Sequence, residues 1–113
     1  MYTLINSLIA SVKPITANYS ADAFSRLTDL EKIADDYESY NRIDTRYSDM
    51  TEIDEITDSL ISDVENDFYA DDGTYNKSSA DMVINVIYDI FSAFEEWTDD
   101  MSSNSHSVSY WNA

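Results

Sequence analysis

Four stretches of this sequence place apolar side chains at spacings of three and four, which leaves little room for any architecture other than packed helices. The first is Leu4, Ile5, Leu8, Ile9 and Val12, and Pro14 is expected to end it, giving a short helix over 3–13. In the second, Ser20 is placed to cap a helix over 20–40 whose stripe is Ala23, Phe24, Leu27, Leu30, Ile33, Ala34 and Tyr37. A third, over 50–69, carries Ile53, Ile56, Leu60, Ile61, Val64 and Phe68, with Thr51 and Asp54 reading as a capping-box-like pair at its start. The stretch 70–77 holds the only glycine, Gly73, and reads as a turn, after which Ser78 and Asp81 repeat the start signal. Val83, Ile84, Ile87, Ile90, Phe91, Phe94 and Trp97 then fill a fourth helix over 79–99. The expectation is an all-α, compact bundle of about four helices forming one domain over 1–100. A polar tail follows at 101–113, flexible or packed on the bundle, where the alternation His106, Val108, Tyr110 leaves one short strand as an alternative.

Composition agrees with that architecture. One Gly and one Pro in 113 residues argue against tight hairpins and disordered linkers, and a chain this long builds one modest core. Leu, Ile, Val and Phe make up 25 residues, about 22%, just above the level below which a highly charged chain reads as disordered. With no cysteine there is no disulfide, thiolate chemistry or zinc–sulfur site, which fits a reducing compartment. The apolar run from Leu4 to Val12 has no basic leader, is interrupted by Asn6, Ser7 and Ser11, and is too short to span a bilayer. A cytoplasmic location is expected.

The net charge is −17, from 23 acidic and 6 basic side chains. Phosphate neutralisation by Lys and Arg supplies most nucleic-acid affinity, so direct nucleic-acid binding and binding to anionic membranes are excluded. Along the chain the charge is regional. Residues 1–48 hold 7 acids and 5 bases, whereas 49–100 hold 16 acids and one base, Lys77. On a helical wheel, Glu52, Asp63 and Asp67 flank the third stripe on one side and Asp54, Asp58 and Glu65 on the other, with Glu55 pointing away and Asp49 just upstream. The turn adds Asp71 and Asp72. Glu95, Glu96, Asp99 and Asp100, together with Asp89, fall towards the expected C-terminal end of the fourth helix, where the macrodipole disfavours negative charge and stability alone would not place them.

Asp outnumbers Glu 16 to 7 although Glu is the better helix former, and the shorter side chain holds its charge in a better defined position. Among nine tyrosines, Tyr37 and Tyr88 lie near apolar stripes with Trp97 and are expected in the core or at its rim. Tyr40, Tyr47, Tyr69 and Tyr75 fall near helix ends beside the acids, with Tyr69 and Tyr75 as candidate contact residues. Duplex DNA carries one charge per about 1.7 Å of axis, so seventeen charges correspond to roughly 29 Å of duplex, close to the length of a 20-residue helix. In this acidity, length, helical patterning and Tyr-punctuated Asp/Glu surface over Asp49–Asp100, the sequence resembles phage-encoded DNA-mimic inhibitors of host defence, the T7-type overcome-classical-restriction and anti-CRISPR kind. The resemblance implies occupation of the DNA-binding groove of a host restriction, CRISPR or other nucleic-acid-handling protein; no motif aligns, so it assigns no residue.

Other chemistries fare worse. Placing Gly73 at the sixth position of a calcium loop puts Phe68 at the first, Ala70 at the third and Ser79 at the twelfth, which leaves Asp72 as the one suitable ligand. His106 is the only histidine and has no nucleophile, glycine loop or metal spacing beside it. The pairs Asp35–Asp36 and Glu95–Glu96 diverge by 100° on a helix and read as exposed rather than catalytic. A halophilic protein would spread its charge evenly and favour Val and Ala over the 11 Ile and 5 Val found. The expectation is therefore a non-enzymatic inhibitor without cofactor or metal, binding a basic nucleic-acid-binding protein, in the host cytoplasm if phage-encoded. An alternative is an acidic adaptor or immunity-type protein that neutralises a basic partner without imitating DNA; a homodimer is left open.

Overall fold

A computed structural model describes the backbone of residues 1–40 and 50–112 and the side chains of 1–39 and 50–100. Among the described residues there are four helices, α1 (Tyr2–Tyr19), α2 (Ala21–Tyr40), α3 (Thr51–Asp67) and α4 (Lys77–Asn112), as the apolar spacing predicts. Each helix packs on its neighbours in sequence and α4 closes on α1, while α1 and α3 touch only slightly across the diagonal. One end of the bundle gathers Tyr19, Ser20, Asp67, Phe68 and Asn76, joined by the Ser20–Asp67 and Asn76–Tyr19 hydrogen bonds and the Tyr19–Phe68 stack. The other gathers Tyr2, Tyr37, Met50, Trp97 and Thr98. The helices therefore run up, down, up and down.

The core consists of the expected stripes: Ile5, Ile9 and Val12; Leu27, Leu30 and Tyr37; Ile53, Leu60 and Val64; Val83, Ile87, Ile90 and Phe94. Tyr37 stands edge-on to both Phe94 and Trp97, and its hydroxyl pairs with Thr98 Oγ1 at 2.8 Å, so both polar groups at that buried end are satisfied. Two residues assigned to stripes, Leu4 and Phe24, and Tyr88, expected in the core or at its rim, turn out differently. Leu4 is 49% exposed, Tyr88 is 54% exposed, and Phe24 lies at the surface under the Lys13 ammonium, 4.7 Å from its ring centre.

Several boundaries also differ. Pro14 does not end the first helix, which continues to Tyr19. Pro14 and Ala10 both face solvent, so water can satisfy the Ala10 carbonyl left without its usual donor, and buried Thr16 beyond the proline holds the last turn in place. The third helix ends at Asp67, and its N-cap is Met50, so the Thr51–Asp54 pair lies inside the first turn rather than at the cap. The fourth helix starts at Lys77, two residues before the expected start at 79, because Asn76 Oδ1 accepts from the Ser79 N–H at 3.1 Å and acts as its cap. It does not stop at 99: the backbone of the segment read as a tail with an optional strand is helical through Asn112, since no Gly or Pro interrupts it. The 36 residues of α4 span about 54 Å, within a molecule measuring 64 Å by 18 Å by 18 Å. Among the described residues, no helix is long and apolar enough to cross a membrane.

Candidate functional site

Assigning charge to elements changes the map drawn along the sequence. The net formal charge is +1 on α1, −4 on α2, −7 on α3 and −5 on α4, with a further −2 in the turn before α4. α1 contains no carboxylate at all, and α3, its diagonal opposite, holds seven in 17 residues with no base. The near-neutral sum of residues 1–48 therefore hides an acidic α2 behind an acid-free α1 and the bases outside α2.

Two of the expected contact acids are engaged within the fold. Asp63 receives the Arg26 guanidinium from α2, and Asp67 accepts the Ser20 hydroxyl at 2.6 Å. With Asp22 they form the one cluster among the described residues whose carboxylate oxygens lie within 4.8 Å of one another. Ser20 and Arg26 already supply donors to it, so these acids tie the α1–α2 corner to α3.

The remaining α3 acids, Glu52, Asp54, Glu55, Asp58 and Glu65, are exposed. Glu52 and Glu55 meet Asp29 and Asp36 of α2 in a groove of about 470 Å³, lined also by the half-buried Ile33 and Ile56 and the exposed Lys32. Asp58 lies across Ser59 and Ser62 from the Arg26–Asp63 pair. Glu65 lies on the side facing α4, where it and Asp81 surround the Tyr75 phenol; burial first, then these two negative charges, raise the Tyr75 pKa above its ordinary value. Asp81 also receives the Lys77 ammonium at 2.8 Å, which raises the lysine pKa.

Between α3 and α4 the chain folds into a tight turn. Tyr69 and Tyr75 form an isolated antiparallel bridge with their rings edge-on at 5.3 Å, the Gly73 N–H donates to the Ala70 carbonyl, and Gly73 adopts φ 84°, a conformation that favours glycine. The Asp72 carboxylate accepts the Thr74 N–H at 2.9 Å, and that bond lowers its pKa. Asp71, Asp72 and Tyr69 project from the turn, while Tyr75 is half-buried.

Glu95, Glu96, Asp99 and Asp100 are exposed on α4, but they lie at least twelve residues before its end at Asn112. Dipole effects fade within one turn, so the expected dipole penalty does not apply to them. It applies instead to Glu65 and Asp67 in the last turn of α3, which contains no base. Asp49, Tyr47 and the side chain of Tyr40 lie outside the described residues.

Asp29 and Asp36 were missed because the bases of the first half masked them in the sum; the spacing of seven that puts both on one face of α2 was the available signal. No family model, curated protein or solved structure matches this chain.

Proposed function

We propose that this protein is a non-catalytic, acidic DNA mimic that binds the basic nucleic-acid-binding surface of a partner, a restriction enzyme, CRISPR effector or similar protein, and blocks it by steric and electrostatic occupation. The observation that carries the reading is the exposed carboxylate array on adjoining α2 and α3: Asp29, Asp36, Glu52, Asp54, Glu55, Asp58 and Glu65. The 17 residues of α3 span about 25 Å. One DNA strand presents about seven phosphates over that length, at 3.4 Å each. Seven exposed carboxylates spread over two helices, with Lys32 among them, come close to that number, a likeness in the amount of charge per length. The turn acids Asp71 and Asp72, with Tyr69 beside them, extend the array at one end; Glu95, Glu96, Asp99 and Asp100 add charge towards the other.

Association of this kind is fast and falls steeply with salt. The test is capture of the partner from a bacterial lysate, followed by competition with duplex DNA at constant ionic strength. The expected result is a nucleic-acid-binding partner that saturating DNA displaces. A captured protein with no affinity for nucleic acid, or a complex that saturating DNA leaves intact, defeats the mimic reading and leaves the adaptor reading in its place. Neutralising Asp54, Asp58, Glu65, Asp71 and Asp72 with Asn or Gln is expected to weaken capture while leaving the helical circular dichroism signal unchanged.

A further inference from the structure

A protein that worked by negative charge alone would have no use for an uncharged apolar seam, yet one runs between α1 and α4. α1 runs antiparallel to α4, which sets Leu4 and Leu8 beside Ala93, and the three-and-four spacing carries Ile15 of α1 and Met82 of α4 along the same faces. Leu4 is 49% and Met82 48% exposed, and Leu8, Ile15 and Val86 are half-buried between them. Near Leu4 the seam opens into a groove of about 270 Å³, lined by Leu4, Leu8, Ser92 and Ala93 and bordered on the α4 side alone by Asp89 and Glu96. The small side chains at 92 and 93 make the depression. An engineered cavity of about 150 Å³ takes a benzene molecule, so this groove has room for one aliphatic or aromatic side chain.

We propose that the α1–α4 groove is a second docking site, taking an apolar side chain from a segment of the partner that carries Arg or Lys on one flank. The charge of the border selects this occupant. Asp89 and Glu96 are seven residues apart, about 10.5 Å along α4, and α1 opposite them has no carboxylate. A segment seated here turns its basic flank to α4 and its neutral flank to α1. A second copy of this chain is the less favoured occupant, because it brings another −17 to a border that is already negative. The site shares with the DNA-mimic reading the basic character of the partner and the Glu96 carboxylate, and it uses none of the α2–α3 carboxylates.

The probes are two acetylated, amidated 15-residue alanine-based peptides, each with two arginines seven positions apart; one has leucine midway between them and the other serine. Binding to the full chain is measured by fluorescence anisotropy in 0.3 M NaCl, where charge alone is weakened, and mapped by amide chemical shifts. The leucine peptide is expected to bind about tenfold more tightly than the serine peptide, with shifts centred on Leu4, Leu8, Ser92 and Ala93. Leu4→Ser, at a half-exposed position, is expected to abolish that ratio without loss of helicity. Asp89→Asn with Glu96→Gln is expected to weaken both peptides and keep the ratio. Replacing Asp54, Asp58 and Glu65 should leave the ratio untouched, which separates failure of this site from failure of the mimic reading. Equal affinity of the two peptides for the wild-type chain overturns the proposal. So do shifts confined to α2 and α3, or sedimentation as a dimer that Leu4→Ser dissociates.

Discussion

Ser20→Ala tests whether the α1–α2 corner is held as the structure indicates. Ser20 is the single residue between two helices and is 4% exposed; its Oγ accepts the Ala23 N–H at 3.1 Å and donates to Asp67 Oδ2 at 2.6 Å. Removing a helix cap of this type costs about 1 kcal/mol. The bond to Asp67 is charge-assisted but only partly buried, so its contribution is set below the ~1.5–3 kcal/mol of bonds to charged groups, at about 1 kcal/mol more. The total of about 2 kcal/mol is a large fraction of the stability of a small domain. At about 2.1 cal/mol/K of unfolding entropy per residue, 113 residues give roughly 0.24 kcal/mol/K, and Tm should fall by about 8 °C. Asp67→Ala alone should cost less, because it also removes a carboxylate from the last turn of α3, where the dipole disfavours it. Urea unfolding at 222 nm of both single variants and the double variant should give a coupling energy near 1 kcal/mol. A coupling within error of zero refutes the reasoning. It would mean that Asp67 is a surface acid like Asp58, whose change to Asn is expected to leave stability unchanged or slightly improved.

Pro14→Ala restores a backbone donor inside α1 and should stabilise the protein by about 2 kcal/mol, the helix-interior cost of proline less the entropy that alanine returns to the unfolded chain, read by thermal melting. Raising NaCl from 20 mM to 0.5 M should increase the urea midpoint, since like-charge repulsion within a −17 fold is screened; a midpoint that falls or stays level contradicts the charge map. Tyr75 should ionise above the ordinary tyrosine value near 10 in an ultraviolet titration, and Glu65→Gln or Asp81→Asn should bring it down. Because its folded pKa is raised, the stability from the neutral phenol is complete below the unfolded value and is lost as pH rises through the folded one, so Tyr75→Phe should remove that part of the alkaline loss.

Element type was legible wherever periodicity was strong, because burial enforces three-and-four spacing and each of the four stripes lies in a helix. Boundaries were less legible, for identifiable reasons. Pro14 looked like a stop because the local cost of proline is large, but the buried side chains on both sides of it keep the helix going. The serines after 101 looked like a tail, yet low helix propensity without Gly or Pro does not terminate a helix already nucleated by an apolar run. Within the site, the exposed α3 acids were visible on a wheel. The engagement of Asp63 and Asp67 was not, because their partners Arg26 and Ser20 are 37 and 47 residues away in sequence.

Helix order, more than total charge, determines how this surface can be approached. Because the chain runs up and down in sequence, the acid-free α1 and the most acidic helix, α3, fall on the diagonal. With interaxial distances of about 10 Å between neighbours, the diagonal is roughly 14 Å. The exposed α3 carboxylates lie on the far side of the bundle from α1, so a charge approaching α1 meets them at greater distance and, around the outside, through screening salt. An approaching basic surface is therefore drawn to α3 and turned towards it before contact, with α2 and α4 as shoulders at −4 and −5. Had the two helices been adjacent, the same composition would have placed the neutral face against the acidic one and blunted the direction of the field. Asp29 and Asp36 thus gain their weight from position: they carry the α3 array around the shoulder onto α2, while Lys13, the one base on α1, is already paired with Glu31.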